Sequence, residues 1–160
     1  KKIRRNEPVL VDFGICYHGY QVDQTRMYAI GSMPDIFVGA YDACREIHDR
    51  VLDKVVEGYT SKELFEYSRE LGDKLGYGEY YLGYKPHKVR FLGHGIGIEL
   101  AELPYIAASH TYPIEDGAVF AIEPKMVFPK KGCCGYENTI HYRNGKCAII
   151  TDTDDSIVIV

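Results

Sequence analysis

Four carboxylates stand inside β-prone, otherwise apolar runs of this chain, and any fold it adopts must accommodate them. Pro8 to Cys16 and Tyr20 to Ile30 are rich in Val, Ile, Tyr and Phe and flank a turn at Tyr17, His18 and Gly19, which predicts an antiparallel hairpin. A hairpin centred between Tyr17 and His18 sets Asp12 opposite Asp23, or one step diagonal if Gly19 forms a bulge. Facing Cβ atoms in such a pair lie about 4.5 to 5.5 Å apart. Glu123 and Glu137 repeat the arrangement around Pro129-Lys130-Lys131-Gly132, because their midpoint is residue 130.

Like charges facing one another on a sheet are destabilising, and a half-buried pair drives one carboxyl pKa upward unless a cation is present. A divalent ion removes the conflict, and two remove it better. His94, between Gly93 and Gly95, completes a set of four carboxylates and one imidazole. These oxygen and nitrogen donors suit Mn, Fe, Co or Zn, and carboxylates can bridge two ions about 3.5 to 4 Å apart. Each residue alone has a plainer reading: Asp23 as a turn acid beside Thr25 and Arg26, Glu123 as a strand-end carboxylate before Pro124, His94 as a satisfied core histidine. The glycines at 93, 95 and 97 lack the spacing of a phosphate cradle, and are expected to let backbone approach the imidazole and whatever it holds.

The remainder reads as one α+β unit. Apolar residues recur at helical spacing from Asp35 to about Glu57 and Gly58 ends the pattern. Thr60-Ser61-Lys62-Glu63 is a capping box opening a second helix that runs to Gly76 and packs beside the first. Tyr77 to Tyr84, rich in Gly and Tyr, predicts a flexible or substrate-facing loop, and strands return over Gly117 to Phe128, Gly135 to Tyr142, Cys147 to Ile150 and Ser156 to Val160. With 160 residues, 46% hydrophobic content and a formal net charge of -4, disorder is disfavoured. No apolar run approaches the roughly 20 residues of a bilayer span. The five cysteines are expected to be reduced thiols, and the chain to be cytoplasmic. The basic cluster Lys1, Lys2, Arg4 and Arg5 lacks interleaved aromatics and reads as a solvated edge rather than a nucleic-acid site.

Five ordered blocks resemble a known family. V-D-F-G, V-D-Q-T-R, G-H-G-I-G-I-E, A-I-E-P and G-Y-E-N-T-I look like the signatures of the M24 metallopeptidases, which include methionine aminopeptidases, prolidases, Xaa-Pro aminopeptidases and the non-metal relative creatinase. The short interval from Glu123 to Glu137 is similar to the Xaa-Pro and prolidase branch. The resemblance implies the pita-bread fold, a curved antiparallel sheet with helices on its outer face and metals in the cleft, and makes a homodimer plausible. It places five metal ligands on Asp12, Asp23, His94, Glu123 and Glu137, with Asp12 on one ion, His94 and Glu123 on the other, and Asp23 and Glu137 bridging both. It further implies that residues 1–160 are the C-terminal portion of a single catalytic domain whose upstream region is absent, and a fragment without activity of its own.

By that resemblance a hydroxide bridging two divalent ions attacks a scissile peptide amide, and Glu123 carries the proton from nucleophile to leaving nitrogen. Two histidines of the pattern are replaced: the one seven positions after His94 is Ala101, and the one four before it is Arg90. Arg90 reads either as a forked donor for a substrate carboxylate or as a surface cation, and His87 and His110 either stand in for the missing rings or are ordinary loop histidines. Three functions follow as expectations: a dinuclear Xaa-Pro dipeptidase or aminopeptidase; a related hydrolase or lyase of a small non-peptide metabolite; or a peptide-binding module with impaired catalysis.

Overall fold

The computed structural model describes residues 2–160, so Lys1 lies outside the described residues; Lys2, Arg4 and Arg5 are exposed. Strands β1 (Val9–Tyr17) and β2 (Tyr20–Ala29) form the predicted hairpin with a different centre. Tyr17 pairs with Tyr20, leaving His18 and Gly19 as a two-residue turn with φ of 51° and 87°. Both turn residues are left-handed, the conformation whose twist suits adjacent antiparallel strands. Asp12 therefore faces Thr25, and Asp23 faces Gly14. The two acids are diagonal neighbours on one face, brought there by turn geometry and without a bulge.

Helix α1 (Asp35–Val56) buries Phe37, Tyr41, Cys44, Ile47, Val51 and Val55 along one stripe. Helix α2 (Ser61–Lys74) opens on the expected capping box: Thr60 Oγ1 accepts from the Glu63 amide at 3.3 Å, and the Glu63 carboxylate accepts from the Thr60 amide at 2.8 Å. The helices pack on each other, with α2 also against strands β5 (Phe91–Gly95) and β6 (Glu102–Ala107). None of the described helices is long and apolar enough to cross a membrane.

The segment from Tyr77 to Tyr84 is not the loose loop its glycines and tyrosines predicted. Tyr81 and Leu82 are buried, Tyr80 lies on Phe128 with ring centroids 4.7 Å apart, and Gly72 leaves room for the Tyr81 ring. Aromatic burial here outweighs local turn propensity. The segment ends in β3 (Gly83–Tyr84), which pairs with β4 (His87–Lys88).

A five-stranded sheet holds most of the second half in the order β11-β10-β7-β5-β6. The expected run from Gly117 to Phe128 is two strands, β7 (Val119–Ile122) and β8 (Lys125–Phe128), interrupted at Glu123-Pro124, where proline has no N–H for a ladder. Their partners are β10 (Asn138–Arg143) and β9 (Gly132–Gly135) respectively. The register is continuous across the break, with Ile122 facing Asn138 and Lys125 facing Gly135. Glu123 and Glu137 thus stand opposite one another in the gap, as their common midpoint predicts. β11 (Lys146–Ile149) closes one edge, and β12 (Val158–Ile159) runs parallel to β2, a departure from an all-antiparallel arrangement.

Strands β5 and β6 carry no strong β-propensity, and glycine is what permits them. A Cβ on Gly93 would lie 2.1 Å from the Ala121 carbonyl oxygen, and one on Gly95 2.2 Å from that of Leu103. The close approach is to neighbouring strands rather than to the imidazole, which corrects the expectation drawn from the motif.

The hairpin is tied to the large sheet through β10. Thr139 Oγ1 accepts from the Asp23 amide at 2.8 Å and donates to the Asp23 carbonyl at 2.9 Å. Buried Arg26 donates to the Glu137 and Thr25 carbonyls at 2.8 and 3.0 Å and to Asn138 Oδ1 at 2.8 Å, and its guanidinium lies 4.7 Å from the Tyr136 ring centroid. Arg26→Met keeps apolar volume but removes three buried hydrogen bonds, so urea denaturation is expected to show a loss of about 2 to 3 kcal/mol. A change below about 0.5 kcal/mol would show that these bonds do not hold the two sheets together.

Candidate metal centre

Each ligand candidate is positioned by a different strand end. Asp12 lies on β1 and Asp23 on β2, His94 is on β5, and Glu123 and Glu137 occupy the gap between the β7/β10 and β8/β9 ladders. Ligand atoms of Asp23, His94 and Glu137 all lie within 4.8 Å of one another, and all three residues are buried. Glu123 Oε1 is 3.7 Å from His94 Nε2. Asp12 is exposed at the edge, and its charge acts on both Asp23 and Glu137. The tightest group therefore holds three of the five candidates, with Glu123 beside His94 and Asp12 outermost.

His94 Nδ1 lies 3.0 Å from the Gly95 carbonyl oxygen. A carbonyl only accepts, so Nδ1 carries the proton and Nε2 presents a lone pair toward the carboxylates. This is the tautomer a ligating imidazole needs, fixed by a partner on its other nitrogen. Thr25 does the same for Glu137, donating its hydroxyl to Oε2 at 2.7 Å. The Gln24 amide donates to Asp23 Oδ1 at 3.0 Å.

The electrostatics call for cations. Burial, then the neighbouring Glu123 charge, push the Glu137 carboxyl up to about 8, against the Thr25 hydrogen bond and with Asp23 and Asp12 adding to the rise. Asp23 is raised too, by burial first and then by Asp12. Lys125 Nζ bonds Glu123 Oε2 and supplies one positive charge; burial pushes this ammonium down, but Glu123, Glu137 and Asp12 more than offset it and hold it above the usual lysine value. A donor set this acidic, with oriented lone pairs and a preset imidazole tautomer, fits divalent metal ions.

Neither His87 nor His110 is among the ligand residues that converge within 4.8 Å. Arg90 is exposed just before β5. His87 is exposed on β4 with its ring against Tyr84. His110 packs its ring against Tyr105 and Tyr112 and lies 3.1 Å from Ser109 Oγ. Ala101 contributes its carbonyl, 3.3 Å from the Tyr105 hydroxyl, and Glu102 shapes the preceding turn by accepting from the Glu99 amide at 2.9 Å. A cavity of about 850 Å³ is lined by Val22, Ile96, Ile98, Leu103 and Tyr112 among others and by none of the five candidate ligands.

Thr25, Thr139 and Lys125 have site roles that pattern reading did not assign. Each lies two residues beyond a candidate ligand, Asp23, Glu137 or Glu123, so the period-two rule for strands was the available signal.

The model of metallopeptidase family M24 matches residues 1–144. The Xaa-Pro dipeptidase of Pyrococcus furiosus is 30% identical over 158 residues, covering 99% of this chain and 43% of that protein. Among solved structures, the X-Pro aminopeptidase of Thermotoga maritima superposes with a TM-score of 0.88 at 31% identity, over 98% of this chain and 42% of that one. The dipeptidase of Pyrococcus horikoshii gives a TM-score of 0.89 at 29% identity, over 100% of this chain and 43% of that one. The chain thus spans less than half the length of these similar proteins.

Proposed function

Because this chain belongs to metallopeptidase family M24 and has its α+β pita-bread fold, we propose that it carries the metal centre of a hydrolase cleaving Xaa-Pro dipeptides or N-terminal Xaa-Pro bonds. The observation that carries this reading is the convergence of Asp23, His94 and Glu137 within 4.8 Å, with the His94 ring fixed so that Nε2 points inward. Asp12 and Glu123 complete the set for two divalent ions, for which Mn, Co, Fe and Zn have the appropriate ligand preferences. When bound, such ions supply Lewis acidity and lower the pKa of water toward neutrality.

The protein's own residues provide orientation and proton handling. Thr25 and the Gly95 carbonyl hold Glu137 and His94 in register. Glu123 has one carboxylate oxygen toward His94 and the other on Lys125, and it is the group placed to take a proton from the attacking water and pass it to the leaving nitrogen. Glu123→Gln is expected to slow hydrolysis on the order of 10²-fold.

The test is release of free proline from Xaa-Pro dipeptides by the native full-length polypeptide in Mn or Co, with and without chelator. Chelator-sensitive turnover supports the proposal. Tight metal binding without hydrolysis of any dipeptide or Xaa-Pro peptide would refute it. Ala101 favours a second reading, a hydrolase or lyase of a small non-peptide amide, because its side chain offers no donor where the family pattern has an imidazole. Turnover confined to N-acyl or amidino compounds on the same substrate panel selects that reading.

A further inference from the structure

Beyond β11 the Ile150 amide still donates to the Thr139 carbonyl of β10, at 2.8 Å, and the chain then crosses to the hairpin, where β12 pairs with β2. Thr151 stands at this crossing and bonds to both sides of it. Its hydroxyl accepts from the Thr139 amide and donates to Asn138 Oδ1, each at 3.1 Å, while its carbonyl accepts from Gln24 Nε2 at 2.6 Å. Thr153 Oγ1 accepts from the same Gln24 nitrogen at 3.1 Å, and the Asp154 carbonyl accepts from Arg26 Nε at 3.4 Å. Gln24 and Asn138 are buried, and each follows a candidate ligand directly, Asp23 and Glu137 respectively. Side chains alternate along a strand, so Gln24 and Arg26 lie on the face of β2 opposite Asp23 and Thr25.

We propose that residues 151–154 form a strap behind the metal centre and that Thr151 is a positioning residue, holding Asp23 and Glu137 for ligation through Gln24 and Asn138. The Gln24 amide donates to Asp23 Oδ1 at 3.0 Å, so anchoring the Gln24 side chain from behind steadies the peptide that orients this carboxylate. Asn138 Oδ1 takes the Thr151 hydroxyl together with Arg26 Nη2, and Arg26 Nη1 donates to the Glu137 carbonyl. One threonine thus ties together the two strands whose acids converge within 4.8 Å. Outer partners that orient metal ligands are worth roughly 10- to 100-fold in metal affinity, and Thr151, one contact further out, falls at the low end of that range.

The inference rests on the metal-centre reading, and Co is the probe for both. The native full-length polypeptide is titrated with Co against a chromophoric chelator, the visible spectrum of bound Co reports ligand geometry, and circular dichroism establishes that each variant is folded. Thr151→Val keeps the shape and removes the hydroxyl; it is expected to bind Co about tenfold more weakly and to alter the spectrum. Thr151→Ser retains the donor and acceptor and is expected to stay within about threefold of wild type. Thr60→Ala removes the cap of α2, whose bonds are to Glu63 rather than to the centre, and is expected to leave affinity and spectrum unchanged, which separates positioning from a general loss of stability. Wild-type affinity and spectrum in Thr151→Val overturn the strap and leave the metal centre standing, and so does an equal loss in Thr60→Ala. Should Thr151→Val not fold, Gln24→Met decides: it cuts the strap from β2 and is expected to weaken Co binding by a similar factor, and unchanged binding overturns the proposal. No Co binding by the wild-type protein overturns both readings.

Discussion

Replacing His94 by alanine is expected to weaken divalent-ion binding by at least 10²-fold and, on the function proposed above, to reduce Xaa-Pro hydrolysis by about 10³-fold. The imidazole is the one nitrogen donor in the cluster, and its Nδ1 bond to the Gly95 carbonyl fixes Nε2 for ligation. Removing it leaves Asp23 and Glu137 within reach of an ion but takes away the donor that favours Mn, Co, Fe or Zn over calcium or magnesium. Thr25→Val provides the graded comparison. It removes only the hydroxyl that orients Glu137 and is expected to lower affinity by roughly 10- to 100-fold, the usual cost of losing a partner of a ligand. Competition against a chromophoric chelator measures both. Wild-type affinity in His94→Ala would remove His94 from the centre.

The metal-free protein is expected to lose stability as pH rises from about 5 to 8. The Glu137 carboxyl is raised from its ordinary value to about 8 in the folded state, chiefly by burial and by Glu123. An acid raised on folding holds its proton where the unfolded chain has released it. The stabilisation is complete below the unfolded pKa, declines between the two values, and is gone above the folded one. Asp23, also raised, acts in the same direction. The summed effect is on the order of 3 kcal/mol, or roughly 6 to 12 °C in melting temperature for a domain of this size. Divalent metal reverses the slope, because ligation requires the deprotonated carboxylates. At a hundredfold excess over Kd the ion adds about 2.7 kcal/mol. Thermal melts at pH 5, 6.5 and 8, with chelator and with Mn, provide the check. A chelator curve that is flat or climbs over this range would mean that the cluster is not a buried set of acids with excess negative charge.

These two results share one cause. Buried like charges are costly without cations, and the fold retains Asp23 and Glu137 because their backbones are committed elsewhere. Asp23 is held at both its amide and its carbonyl by Thr139, and the Glu137 backbone is held by Arg26 and by Thr25. Neither acid can swing away without breaking the contact between the hairpin and the large sheet.

Hydrophobic periodicity and turn chemistry were sufficient to read both helices, the capping box at Thr60 and the two acid-bearing hairpins, because those signals are local. The midpoint at residue 130 placed Glu123 opposite Glu137, since the interruption at Pro124 preserves register. The first hairpin was read off by a place, because its centre depends on whether His18 accepts a left-handed backbone, and nothing in the flanking strands specifies that. Strands β5 and β6 were silent for a related reason: glycine has low β-propensity, and its value at Gly93 and Gly95 lies in the carbonyl oxygens it admits from distant strands. The partial burial of Tyr80 and the full burial of Tyr81 likewise depend on Phe128 and Gly72, partners distant in the chain.

The amino-acid order alone therefore marks the candidate ligands and the hairpins that carry them, because charge and short-range geometry are written residue by residue. Which oxygens meet, that Lys125 enters among them, and that His87 and His110 fall outside the group converging within 4.8 Å are consequences of packing between remote segments. Pairwise spacing along the chain contains no measure of that distance, since it is set by how two sheets are bolted together through Arg26 and Thr139.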